Sequence, residues 1–261
     1  MSERTFRRKK WQTTLFFLAI LAIIVISTII TNFDYIHSIS TVPAAFGWII
    51  SNLFITGESL ERLPNILTKL NETIFMSIAA STTAAVVSLF LGVMGSNTTK
   101  VNNIFSTIAR VIASFSRNIP VVAWALILLL SFGQNSVTGY LALFVGSVGF
   151  LTRAFIESID EADQKSVEAL TATGATYFQI VGKAVIPQSL PQIISWTLFI
   201  IETNIRSATL VGILTGTGIG YSFDMYYKMM DYNTVALITF VIVLAVIVIE
   251  LTSNYIRKVI L

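Results

Sequence analysis

Six apolar runs limit what this chain can fold into more than any other feature. They are LFFLAILAIIVISTII (15–30), IFMSIAASTTAAVVSLFLGVMG (74–95), VVAWALILLLSFG with the turn upstream of it (104–133), VTGYLALFVGSVGFLTRAFI (137–156), LPQIISWTLFIIETNIRSATLVGI (190–213) and TVALITFVIVLAVIVIELTSNYI (234–256). Roughly 20 apolar residues cross a bilayer as a helix, which satisfies its own backbone groups where no water can. The chain is 54% hydrophobic and 12% charged, against about 25% charged in an ordinary soluble domain. The expectation is an all-α polytopic membrane protein with about six transmembrane helices.

Three stretches need a separate reading. RTFRRKK before the first run resembles a secretory signal, but the run is long and STIITNFDY offers no small-residue cleavage site, so a retained first helix is expected. In the connection 32–70, VPAAFGWIISNLF has apolar residues at helical spacing and a Trp, the pattern of a helix lying in the outer interface. Residues 103–119 are too polar at Arg110, Ser116, Arg117 and Asn118 to open a lipid-facing span, and Pro120 marks a kink or a junction between an interfacial helix and a short span. The segmentation expected is an N-terminal helix with an outer interfacial segment (1–69), a transmembrane core (70–255) containing a loop at 157–187, and a tail (256–261).

The basic residues set the orientation. Arg4, Arg7, Arg8, Lys9 and Lys10 precede the first run, Lys100 and Arg110 follow the second, Arg153, Lys165 and Lys183 lie between the fourth and fifth, and Arg257 and Lys258 follow the sixth. The other side holds Arg62, Lys69 and Lys228, diluted by Asp34, Glu58, Glu61, Asp224 and Asp231. The positive-inside bias puts both termini and the 157–187 loop in the cytoplasm. These residues read as topology signals, so the net charge of +3 implies no nucleic-acid partner. There is no cysteine, and His37 is the only histidine, which leaves no thiolate or histidine-rich metal site and no Ser-His-Asp triad. No G-x-x-x-x-G-K-[ST] pattern occurs, since Gly182–Lys183 is followed by Ala184. A chain like this cannot hold ATP in a P-loop.

The 157–187 loop contains EALTATGATYFQIVGKAVIPQSLPQ (168–192) across its end. Val167, Leu170 and Thr171 share one face, and Ala175, Phe178 and Val181 share another, so two short amphipathic helices are expected to meet near Gly174. Pro187 suits the first turn of a new helix, and Pro191 would bend that helix early. The result is a small, partly apolar knob. It reads equally as a docking element for another protein and as a loop packed on its own bundle.

Within the runs, Glu202 and Arg206 sit four apart with the acid first, so they share a helix face. An ion pair locking the bundle is the favoured reading; the other is that Arg206, with Asn204, lines a cavity that passes an anion. Arg117, with Asn118, either snorkels to inner headgroups or lines an inner mouth. GILTGTGIG (212–220) follows no strand, so a flexible gate or close helix packing explains its glycines better than a nucleotide loop.

The spacing at 168–187 resembles the EAA loop of ABC-importer permeases: E-A-A, three residues, G, nine residues, I-x-L-P. Glu168, Ala169 and Leu170 fill the E-A-A positions, Gly174 the glycine and Pro187 the proline; Ala184 stands where Ile is usual and Ile186 where Leu is usual. The smaller Ala184 is expected to weaken the anchoring of the loop slightly. SRNIPVVAWALIL, VEALTATGA, VIPQSLPQ and ETNIRSATLVGILTGTGIG are together similar to the phosphonate and phosphite permease subfamily. Glu202, Asn204, Ile205, Arg206, Ala208, Thr209, Gly212, Gly218, Ile219 and Gly220 match its pattern; Thr215 and Thr217 replace glycines and Gly216 an alanine.

The resemblance implies a type I ABC importer permease fold in the inner membrane. It implies a coupling helix (Glu168, Ala169, Leu170, Gly174, Ala175, Ile186, Pro187) that docks into a cytoplasmic ATPase, and a pathway drawing on Arg117, Asn118, Glu202, Asn204 and Arg206. It also implies an outer-gate loop at Gly212, Gly216, Gly218 and Gly220. The partners implied are a second copy of the chain, two ATPase subunits and an extracytoplasmic solute-binding protein. ATP and magnesium would bind the ATPase, with no cofactor on this chain. The cargo implied is phosphonate, phosphite or a phosphate ester. The alternatives are another small substrate such as methionine, or a stand-alone secondary transporter using Glu202.

Overall fold

The computed structural model describes the backbone of residues 3–260 and the side chains of residues 7–260 other than 164. Two compact units divide at residues 53 and 54. The first holds α1 (Glu3–Thr31) and α2 (Tyr35–Asn52). Helix α2 opens where the Asp34 carboxylate accepts the His37 N–H at 2.9 Å, and it contains the VPAAFGWIISN segment with Pro43 inside it.

The second unit holds α3 (Gly57–Glu61), α4 (Leu63–Gly95), α5 (Asn103–Asn118), α6 (Val121–Phe132), α7 (Ser136–Asp160), α8 (Gln164–Ala172), α9 (Tyr177–Ile180), α10 (Ile186–Thr215), α11 (Gly218–Lys228) and α12 (Tyr232–Ile260). Every described element is helical. Five helical segments are long and apolar enough to cross a membrane, and α5 with α6 makes a sixth that bends by 92°. The bend falls at Ile119–Pro120. Proline has no N–H to continue the helical ladder and pushes the preceding residue into extended backbone. Ile119 is extended, at φ −95° and ψ 121°.

Helices α4 and α7 run parallel at the centre, with Ser136 donating to Glu72 at one end (3.2 Å) and Ser96 donating to Asp160 at the other (2.5 Å). Lipid tails are as apolar as leucine, so helices in a bilayer associate by close packing of small side chains rather than by escape from water. The buried stripe of α4 fits this requirement: Ser77, Ala80, Ser81, Ala84, Ser88, Gly92 and Gly95. Met76, Ala80, Ala142, Leu143, Ala208 and Val211 tie α4, α7 and α10 together. Ile66, Leu70, Ile219, Leu237 and Ile238 do the same for α4, α11 and α12. Residues 256–260, read above as the start of a tail, continue α12.

Candidate functional site: a coupling knob and a charged clamp

The knob forms as two short helices on either side of Gly174. Helix α8 starts where Asp163 accepts the Lys165 N–H (3.1 Å). It ends in a Schellman turn: Gly174 N–H bonds to the Thr171 carbonyl (3.0 Å) and Ala175 N–H to that of Leu170 (3.2 Å). Gly174 takes φ +79°, a left-handed conformation that costs glycine nothing. Glu168, Ala169 and Pro187 are exposed, and Leu170, Ala175 and Ile186 are half-buried. Phe178 is 84% exposed, a phenyl ring that its own chain leaves uncovered.

Between α9 and α10 the chain widens into a π-turn over Val181–Val185, where Ile186 N–H bonds to the Val181 carbonyl five residues back. Widening just before Pro187 lets the helix pass a residue that has no N–H, and π-turns recur at functional sites. Val185 is fully buried against Ile159 and Ala162, with Val93 and Val167 packed around them. Ala184 is buried as well. The anchoring expected to suffer at residue 184 is supplied by its neighbour.

The knob also holds the α4–α5 loop. Tyr177 Oη donates to the Thr99 carbonyl at 2.7 Å. Asp160, at the end of α7, accepts from Ser96 Oγ (2.5 Å), Asn97 N–H (2.7 Å) and Thr98 N–H (3.2 Å), and Arg110 lies 3.9 Å away. Sequence reading missed Asp160. An aspartate at a helix end carries no signal until the loop that folds over it is known.

Midway along α10 the polar residues converge. Asn204 Nδ2 donates to Ser81 Oγ (2.9 Å) and Ser147 Oγ (2.7 Å), and Ser77 Oγ donates to the Asn204 carbonyl (3.3 Å). Asn204 thus joins α4, α7 and α10 from within, rather than lining open space. Glu202, 8% exposed, bridges two guanidiniums. Oε1 lies 2.9 Å from Nη2 of Arg206, on its own helix, and Oε2 lies 2.9 Å from Nη2 of Arg257, on α12. The expected Glu202–Arg206 pair is present, and the Arg206 side chain remains 45% exposed. Arg257 was read only as a topology signal, and its pairing with Glu202 was missed.

Arg117 and Asn118 are exposed at the end of α5, where the Ser116–Arg117 backbone packs on Gly149 of α7. Arg117 has no ion pair among the described residues. The structure does not bring it to the Glu202 clamp.

The glycine-rich turn is a packed junction. Gly212, Gly218 and Gly220 are buried, and a Cβ at Gly220 would overlap the Thr209 carbonyl. Thr73 Oγ1 of α4 accepts the Ile219 N–H (2.9 Å), and the hydroxyls of Thr215 and Thr217 bridge at 3.0 Å. Gly216 is half-buried, with φ +70°. Further along, Asp231 before α12 pairs with Arg62 before α4 and accepts from Thr234 Oγ1 (2.8 Å), while the Arg62 guanidinium lies 5.0 Å from the Tyr226 ring. Burial works to raise the Asp231 pKa, but the Thr234 hydrogen bonds and the Arg62 charge outweigh it and hold the carboxyl below its ordinary value.

Comparison with known proteins gives this geometry a setting. The family described as "Binding-protein-dependent transport system inner membrane component" matches residues 84–260. The chain is 33% identical over 187 residues to the phosphite transport system permease protein PtxC of Stutzerimonas stutzeri, covering 72% of this chain and 68% of that one. It is 28% identical over 194 residues to the phosphate-import permease protein PhnE of Mycolicibacterium smegmatis, covering 74% of this chain and 36% of that one. Among solved structures it resembles the MetNI methionine ABC transporter in an inward-facing conformation, with a TM-score of 0.67 and 20% identity over 75% of this chain and 96% of that one.

Proposed function

The chain belongs to the inner-membrane components of binding-protein-dependent transport systems, and from that premise we propose that it carries a phosphorus oxyanion into the cell: phosphite, a phosphonate or a phosphate ester. The likeness to the phosphite permease over most of the chain carries this reading of the cargo. The charged clamp agrees with it in sign. Arg206, Arg257 and Glu202 together leave one positive charge in the middle of α10 and beside it, and Arg206 is half-exposed.

In this proposal two copies of the chain form a homodimer around the path. Two ATPase subunits, which bind the ATP and magnesium, dock on the two knobs through Glu168, Ala169, Leu170, Gly174, Ala175, Ile186 and Pro187. A solute-binding protein delivers the cargo on the outer side. ATPase closure moves the knobs together and swings the bundles between two packings, an alternating-access change. Arg206 is the pathway residue held by Glu202, and Arg117 with Asn118 lines the inner mouth. The turn at Gly212, Gly216, Gly218 and Gly220 hinges the outer gate. A methionine-type cargo is the weaker reading: the probable D-methionine permease MetI of Haemophilus influenzae is 26% identical over 204 residues, against 33% over 187 for the phosphite permease.

The test is purification of the tagged chain from its native membranes in mild detergent, with identification of what comes with it. An ATPase and a binding protein are expected, the latter retaining phosphite or a phosphonate in titrations that include methionine. A binding protein that prefers methionine overturns the cargo. A lone chain that still transports overturns the importer and returns Glu202 to the role of a coupling carboxylate in a secondary transporter.

A further inference from the structure

Arg257 has more to offer than its bond to Glu202. Nη2 donates to Glu202 Oε2 at 2.9 Å and to Ser253 Oγ at 2.7 Å. Its Nε–H is buried and has no acceptor among the described residues. Guanidinium carries five N–H donors in a fixed plane, so one end can be tied to a carboxylate while another faces elsewhere. Nε has almost no accessible surface, so the donors free to face a neighbouring cavity are those of Nη1, which makes no hydrogen bond among the described residues.

Beside Arg257 lies a cavity of about 270 Å³, lined by Gln192, Ser195, Trp196, Phe199 and Arg257. The four α10 residues fall at i, i+3, i+4 and i+7, one face of the helix. The lining offers a guanidinium, a carboxamide, a hydroxyl and an indole N–H, with no carboxylate among them. The indole is held in place by Phe150 and Phe199, with ring centroids at 5.7 and 5.9 Å. One cation, several neutral donors and a stiff aromatic wall suit a compact anion with several oxygens. Arg257 shares Glu202 with Arg206, so the cavity and the clamp together carry one net positive charge, and the sign agrees. Residues 192–199 lie on α10 between the knob, which ends at Pro187, and Glu202.

We propose that this cavity binds a phosphoryl-type oxyanion, with Arg257 donating from the part of its guanidinium that Glu202 leaves open and Ser195, Gln192 and Trp196 completing the donor set. Choosing a phosphoryl group over other oxyanions rests on the proposed cargo. The anion site itself rests on the cavity. Two sources share this chemistry: free anion that has passed the Glu202 clamp, and the phosphodiester headgroup of a membrane lipid.

The experiment uses the full chain, purified in detergent with whatever subunits accompany it. Binding of radiolabelled inorganic phosphate, with phosphite and methylphosphonate as competitors, is measured by equilibrium dialysis. Retention of phosphatidylglycerol is measured by native mass spectrometry. Arg257→Lys keeps a counter-charge for Glu202 but removes the guanidinium donors that Glu202 leaves open. Ser195→Ala/Trp196→Phe removes two donors and leaves the clamp and most of the ring packing intact.

At least a tenfold loss of phosphate affinity in both variants, with an unchanged melting temperature, assigns the site to free anion. The same loss confined to phosphatidylglycerol retention assigns it to a headgroup. Either result supports the site. If the wild-type chain binds neither probe, or if the Ser195/Trp196 variant binds both as the wild type does, the proposal is wrong. Should the binding protein prove to carry a different cargo while phosphate or lipid binding still depends on Arg257, the cargo reading falls and the cavity stands.

Discussion

Glu202 is the one acid that both arginines of the clamp share, and this makes the three residues unequal. Removing Arg206 leaves Glu202 still paired with Arg257. Removing Glu202 leaves two cations without their counter-charge, one of them three-quarters buried. Breaking a buried pair from one side costs about 3–5 kcal/mol, and the low end applies here because the Arg206 side chain is only half-buried. Glu202→Ala is therefore expected to destabilise the detergent-solubilised protein by about 3 kcal/mol, and Arg206→Gln by under about 1 kcal/mol. Chemical unfolding followed by tryptophan fluorescence reads both. Equal losses would mean that Arg206, not Arg257, is the main partner. Uptake is expected to order the variants differently: Arg206→Ala should reduce it at least tenfold while the fold persists. If Glu202→Gln/Arg206→Gln together transported normally, neither charge would belong to the path.

At the scale of the elements, much was legible because the signals were local. The apolar runs marked the spans, Pro120 marked the 92° break between α5 and α6, and Gly174 marked the turn between α8 and α9. What escaped depended on partners distant in the chain. Ser77, Ser81 and Ser147 carry no signal of their own in the sequence, because the Asn204 they bond to lies 57 to 127 residues away. Arg257 read as an orientation charge, because its acid lies 55 residues earlier on another helix. The π-turn had no sequence signal beyond Pro187.

The knob carries the next expectation. Phe178 makes little contact within the chain, so Phe178→Ala should leave the melting temperature within about 2 °C and weaken ATPase association at least tenfold in a pull-down titration. Gly174→Trp meets open space but an unfavourable left-handed backbone. It should insert normally and lose uptake, and normal uptake would remove the knob from coupling. At the other end of α4, the Arg62–Asp231 clasp makes a pH prediction. The folded carboxyl titrates below the unfolded one, so the clasp contributes its full stability above the unfolded value and loses it as pH falls through the folded value. As pH falls through and below the ordinary aspartate range, the melting temperature of the wild type should fall more steeply than that of Asp231→Asn. Parallel curves would mean that the clasp adds nothing to stability.

Across the whole molecule, the contacts form one connected route. The knob grips the α4–α5 loop through Tyr177 and Thr99, the loop is bound to α7 through Asp160, and α7 is bound to α10 through Ser147 and Asn204. Glu202 sits two residues before Asn204 and extends the route to α12. A push on the knob thus reaches the clamp by two ways: directly along the continuous helix Tyr177–Thr215, and sideways through Asp160. Helices transmit displacement along their axes well, but rocking one packed body against another needs the lateral link too. Asp160→Ala frees the Ser96–Thr98 loop from α7 without touching the proposed docking residues or the clamp. The assembled transporter is then expected to keep its ATPase subunits and its basal hydrolysis, while uptake per ATP hydrolysed falls at least fivefold. An unchanged ratio would leave the long helix as the sole carrier of the motion. Loss of the ATPase subunits would instead make Asp160 part of the shape that the knob presents to its partner.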